Sequence, residues 1–208
     1  MPNAMKPQPP ERACARRLIV GISGSSGATY GLRLLQALKK TDLQVHLVIT
    51  PAGWLNLRHE TGVTDTQALQ LAHTLHASTD LAASIASGSF QTMGMIVAPC
   101  SMRTLAAIAH GLGDNLLTRT ADVTLKERRR LVLMARETPL NLAHLDNMRR
   151  ITEMGGIIFP PVPALYLRPQ SIDELLAHSV GRALGLFGIR IPDLPHWSGG
   201  TPRNAGIS

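Results

Sequence analysis

Short, mostly apolar runs alternate with helix-length segments along this chain, and that alternation restricts the fold more than any other feature. The predicted strands are Leu18–Ile22, Val45–Ile49, Met95–Ala98, Leu131–Ala135 and Ile157–Phe159. Between and after them, helices are predicted over 28–39, 66–74, 101–109, 121–129, 141–154 and 172–187. Strands apolar along their whole length are covered on both faces. Strand–helix alternation therefore predicts an α/β fold, a Rossmann-like or flavodoxin-like parallel sheet with helices on both faces, in a single domain. Ligands in such sheets bind beyond the carboxyl ends of the strands, so the residues that follow each strand carry the functional information.

The first of these turns is Gly21-Ile-Ser-Gly-Ser-Ser-Gly27. Its glycines allow a sharp turn and close approach of a ligand. Ser23, Ser25 and Ser26 offer hydroxyls, and the next helix offers unpaired N–H groups. Such a corner suits a phosphate; a plain tight turn between strand and helix is the alternative. The spacing is neither a Walker loop nor the dinucleotide fingerprint. The other strands end in Thr50-Pro51-Ala52-Gly53, in Pro99-Cys100-Ser101-Met102-Arg103-Thr104 and in Arg136-Glu137-Thr138-Pro139. Hydroxyls, helix starts, arginine and one carboxylate thus collect on one rim. Ser101, Asn141 and Ser171 read as helix N-caps, the last with Glu174 completing a capping box.

Residues 1–16 hold four prolines and read as a disordered lead-in; 17–189 is the domain, and 190–208 is a Pro/Gly-rich tail carrying Trp197. The net charge of +7 and 3% aromatic content fit anionic small ligands better than nucleic acid, because base-stacking platforms are lacking. No membrane span or signal segment is expected, so the predicted location is cytoplasmic. Cys14 and Cys100 suggest neither a disulfide framework nor a zinc site. Cys100, beside a helix start, reads as a buried small residue rather than a nucleophile. His73 and His76, placed on a predicted helix, lack a companion carboxylate, and no metal is expected.

Five motifs together resemble the flavin prenyltransferases of the UbiX/Pad1 family: Gly21–Gly31, Ala98–Leu105, Arg119–Arg128, Leu131–Pro139 and Pro160–Tyr166. The resemblance spans residues 17 to 189. It implies an enzyme that joins a dimethylallyl group from dimethylallyl phosphate to reduced FMN, at N5 and C6. The product, prenylated FMN, serves a UbiD-type decarboxylase in ubiquinone synthesis or aromatic acid breakdown. The resemblance further implies a homo-dodecamer built from trimers. It assigns FMN contacts to Gly24, Ser25, Ser26, Thr50, Ser101, Met102, Arg103, Thr104 and Arg136. Tyr166 and Arg182 match residues holding the donor's phosphate. Arg119 and Lys126 match basic residues near that phosphate, often supplied across a subunit contact. Glu60 and Glu137 match carboxylates near the reacting centre, and Trp197 matches an aromatic covering the pocket. Met134-Ala135, Asn141–His144 and Phe90–Thr92 depart from the family's usual residues without removing a charged catalytic position. An FMN-dependent decarboxylase and a non-catalytic flavin-delivery subunit are the competing readings.

Overall fold

The structure, a computed structural model, describes residues 16–192. Cys14, Trp197, most of the lead-in and most of the tail lie outside the described residues. Six strands form one sheet with every neighbouring pair parallel: β1 (Arg17–Ile22), β2 (Gln44–Ile49), β3 (Thr74–His76), β4 (Gly94–Cys100), β5 (Arg130–Ala135) and β6 (Ile157–Ile158). Their order is β3-β2-β1-β4-β5-β6. That is the doubly wound Rossmann order; without the three-residue edge strand β3 it reduces to the flavodoxin order. Both descriptions therefore fit. The order reverses between β1 and β4, and a ligand is expected beyond the carboxyl ends of those two strands.

Among the described residues seven helices flank the sheet, the last of them after β6: α1 (Ala28–Leu38), α2 (Pro51–Thr61), α3 (Asp65–Leu69), α4 (Met102–Ala109), α5 (Leu116–Lys126), α6 (Leu142–Glu153) and α7 (Ile172–Gly185). Alternate side chains of each strand point to opposite faces. Leu18, Val20 and Ile22 join Val45, Leu47 and Ile49 in one core with α1 and α7. Ile19, Val48, Met95 and Val97 join the other with α4, α5 and α6. Pro99 lies within β4, where the register with β5 shifts between Val97 and Cys100; an irregular position is where a strand tolerates a residue with no N–H.

Several sequence expectations need correction. α2 was not anticipated. Its N-cap is Thr50, whose Oγ1 accepts the Gly53 N–H at 3.1 Å, and Pro51 occupies the first turn, a position proline suits. The predicted helix 66–74 is shorter and earlier: Thr64 and Gln67 cap α3 reciprocally, and Thr74–His76 is strand. His73 and His76 therefore do not share a helix. α5 starts at Leu116 rather than 121, because Asn115 and Thr118 form a capping box. Ser171 caps α7 as expected, but the Glu174 carboxylate accepts from Gln170 N–H at 2.8 Å rather than from Ser171.

β2 carries one buried titratable group. His46 Nδ1 lies 3.0 Å from His76 Nε2, the two rings stack, and Phe90 meets His46 edge-on. Burial first, then the charges of His76, Arg17 and His73, lower the His46 pKa from 6.5 to about 4. The unfolded chain therefore binds this proton more readily, and the His46 contribution to stability, complete above pH 6.5, is lost as pH falls toward 4. Between pH 7.5 and 5 it amounts to at most about 2 kcal/mol. Urea unfolding should show that loss, and His46→Gln should flatten this part of the acid limb. An unaltered slope in the variant would assign the loss elsewhere.

Candidate functional site

The turn after β1 is fastened to the turn after β4 by one side chain. Ser23 is fully buried; its Oγ donates to Pro99 O at 2.9 Å and accepts the Ser101 N–H at 2.8 Å. This hydroxyl is internal to the fold and faces no ligand. At Gly24 the loop presses on the start of α2: a Cβ there would lie 2.4 Å from Ala52 Cβ. Gly27 adopts φ 99°, a left-handed conformation that glycine accepts without cost.

At the α1 corner, offered by the sequence to a phosphate, the structure places a side-chain carboxylate on the helix N–H groups. Glu60, near the end of α2, reaches the α1 N-terminus. Its two carboxylate oxygens accept the Gly27 N–H at 2.8 and 3.1 Å, and Oε2 also faces the Thr29 N–H at 3.4 Å. A carboxylate at this end of a helix satisfies its orphan donors and its dipole. The corner is already filled by a side-chain anion.

Three adjoining clefts lie along the carboxyl edge of the sheet. The first, about 810 Å³, is walled by Gly24, Ser25 and Ser26 from the first loop, Ser101 and Met102 from α4, Arg136–Thr138 after β5, and the Pro160–Pro163 segment. The second, about 490 Å³, shares Gly24 and Ser101 with it and continues past Thr50, Ser78, Thr79, Arg103 and Thr104 to Asp114 and Asn115. Thr50, Ser101 and Asn115 are the N-caps of α2, α4 and α5, so three helix starts converge on the second cleft. Their partial positive charges make it the anion-seeking end of the rim. The third, about 340 Å³, shares Pro160, Val162 and Pro163 with the first and holds Tyr166, His178, Ser179 and Arg182.

Arg136 forms the floor between loops. Its backbone oxygen accepts from Ser25 Oγ at 3.1 Å, and its guanidinium stands 5.6 Å from the Tyr30 ring centroid. Its Nε is buried and has no hydrogen-bond partner. It packs beneath Gly27, where a Cβ would lie 2.7 Å from it, so the side chain wedges the α1 corner against the loop after β5. Glu137 is exposed in the first cleft, where Oε1 accepts the Thr138 N–H at 3.0 Å. Arg103 pairs with Asp114, whose other oxygen accepts from Thr118 Oγ1 at 3.1 Å. Arg182 lies 6.0 Å from the Phe159 ring centroid, and Tyr166 is 61% exposed.

The predicted residues Gly24, Ser25, Ser26, Thr50, Ser101, Met102, Arg103, Thr104, Arg136, Glu137, Tyr166 and Arg182 all line these clefts. Glu60, Arg119 and Lys126 do not line them. Arg119 pairs with Asp122 at 3.0 Å, and Lys126 pairs with Glu127. α5 runs back against the strands, so Lys126 ends near Arg130 at the start of β5. The six residues of β5, about 20 Å of strand, separate that point from Arg136. Within one chain Lys126 therefore stands at the opposite edge of the sheet from Arg136, whereas Arg119 lies one turn after Asn115, on the cleft side. Sequence reasoning missed Ser78, Thr79, Asp114 and Asn115; the Asn115–Thr118 box was the readable signal. Cys100 is fully buried, and burial pushes its thiol pKa up to about 12, which removes it as a nucleophile. Among the described residues no cluster of His, Cys, Asp and Glu is placed to hold a metal ion. None of their helices is long and apolar enough to cross a membrane.

The Flavoprotein family profile matches residues 8–182. Flavin prenyltransferase UbiX of Neisseria meningitidis serogroup B is 59% identical over 184 residues, 88% of this chain and 97% of that protein. The crystal structure of AnUbiX (PadA1) in complex with FMN and dimethylallyl pyrophosphate superposes with a TM-score of 0.88 at 47% identity, covering 90% of this chain and 100% of that one. A dodecameric FMN-dependent UbiX-like decarboxylase from Escherichia coli O157:H7 gives 0.86 at 44% identity, covering 88% and 100%.

Proposed function

The chain belongs to the Flavoprotein family, among its flavin prenyltransferases, and from that premise we propose that it transfers a dimethylallyl group from dimethylallyl phosphate to reduced FMN. The observation that carries this reading is the adjacency of two differently built clefts. One is flavin-sized and polar-rimmed; the other holds a phenol and a guanidinium. A cleft of about 810 Å³ lies within the range of cofactor sites. Its hydroxyls from Ser25, Ser26 and Ser101, with the three helix starts that converge on the adjoining cleft, offer donors to the acceptors of a flavin and to its phosphate, so the residues present fit FMN. Gly24, Ser25, Ser26, Ser101, Met102 and Arg136 would hold it in the first cleft. Thr50, Arg103, Thr104 and the three helix starts offer its anionic end the second. Reduced FMN, when bound, supplies the nucleophilic N5 and C6 positions of its ring.

The protein's own contribution is electrostatic and protonic. As the allylic C–O bond breaks, the electron pair leaves with the phosphate, and Arg182 and Tyr166 are placed to stabilise that charge. Glu137, in the wall of the first cleft, takes the acid/base role. Glu60 stabilises the loop that carries Ser25 and Ser26 through its contacts with α1. Arg119 and Lys126 reach a phosphate from a neighbouring protomer in a homo-dodecamer built from trimers, consistent with the dodecameric relative. Trp197, which the resemblance matches to a pocket-covering aromatic, lies outside the described residues, in the tail after the 17–189 flavin-binding unit. The recipient of the prenylated flavin is a UbiD-type decarboxylase, and the protein acts in the cytoplasm.

Anaerobic incubation with reduced FMN and dimethylallyl phosphate should yield a flavin carrying an added five-carbon unit, read by mass spectrometry. Tight FMN binding without that mass would point to a flavin-delivery subunit. Release of carbon dioxide from an aromatic acid by this protein alone would point to a decarboxylase.

A further inference from the structure

His178 is a buried ring that the mechanism above does not use. It is 4% exposed, whereas Tyr166 above it is 61% exposed. The two rings meet edge to face with centroids 6.2 Å apart, a favoured aromatic geometry. On α7, Arg182 follows His178 by four residues and so lies on the same helix face. Both line the third cleft. His178 also walls a separate recess of about 200 Å³ behind it, formed by Ala164, Leu167, Pro169, Glu174 and Leu175. Ala164 and His178 are common to both cavities.

We propose that His178 is a positioning residue for the allyl donor: its ring supports Tyr166 from below, sets the direction of Arg182 and closes the phosphate pocket against the recess behind. The proposal rests on reading Tyr166 and Arg182 as the phosphate-binding pair. Burial first, then the charge of Arg182, holds the His178 pKa below the ordinary imidazole value. The neutral ring therefore does not repel the guanidinium one turn away. A small side chain at this position would leave the Tyr166 ring without its edge contact and join the two cavities. The phosphate would then meet the Glu174 carboxylate and apolar walls, where it gains no stabilisation.

The test uses the FMN-loaded protein. His178→Ala should raise both KM for dimethylallyl phosphate and Ki for inorganic phosphate about tenfold, with FMN affinity unchanged. His178→Phe restores a ring of similar size and should recover most of that loss, while His178→Gln should not. The Phe and Gln pair decides the matter even where the alanine variant fails to fold. Unchanged donor KM in Ala or Gln overturns the proposal, as does a parallel loss of FMN affinity. Arg182→Ala separates the two levels. If it raises donor KM and the His178 variants do not, the positioning role alone falls. If Arg182→Ala also leaves KM unchanged, the reading of the pocket itself falls.

Discussion

Glu137→Gln is expected to bind FMN as the unchanged protein does and to turn over about 10²–10⁴-fold more slowly. Glutamine has almost the same shape and keeps an oxygen for the Thr138 N–H that Glu137 accepts at 3.0 Å. The loop after β5 should therefore hold its course, and the first cleft should keep its walls. What disappears is the part glutamine cannot copy, a carboxyl group able to give and take a proton in the wall of the first cleft. Fluorescence titration measures the first half of this expectation, and single-turnover mass spectrometry measures the second. Unchanged turnover removes Glu137 from proton transfer; lost FMN binding reassigns it to holding the flavin.

Arg182→Ala should lower kcat/KM for dimethylallyl phosphate about 10²–10³-fold, the usual consequence of deleting one donor aimed at developing negative charge. FMN affinity should remain, because Arg182 lines only the third cleft of the three. Fold stability should change little, since the side chain is exposed and meets the Phe159 ring at the rim of the cleft. Arg182→Lys returns the charge without the planar fork and should recover the activity in part. Steady-state assays over a donor series measure the effect. An alanine variant with unaltered donor kinetics would exclude Arg182 from the phosphate pocket.

The central strands were legible because they are buried on both faces and so carry long apolar runs. β3 was not: it is a three-residue edge strand, Thr74-Leu75-His76, with one exposed and two half-buried residues. It therefore lacks the hydrophobic signal of a buried strand. α2 was hidden for a different reason. Only Gly53 and Leu57 of its eleven residues are buried, so it shows no apolar stripe, and Pro-Ala-Gly at its start reads as a turn. The cleft-lining residues Ser101–Thr104 were legible because their motif stays contiguous in sequence. Ser78, Thr79 and Asp114 reach the same rim from other elements, and no local pattern announces that convergence. The role of Glu60 at the α1 N-terminus likewise depends on the packing of α2 against α1, which spacing alone does not reveal.

Ser23 has a wider consequence. By bonding Pro99 and Ser101 from the end of β1, it clamps together the two loops that flank the point where the sheet reverses direction. The mouth is thus already shaped by interactions internal to the polypeptide. No share of an incoming nucleotide's affinity is consumed in ordering those loops. Weakening this clamp would act on ligand capture from a position that no ligand touches.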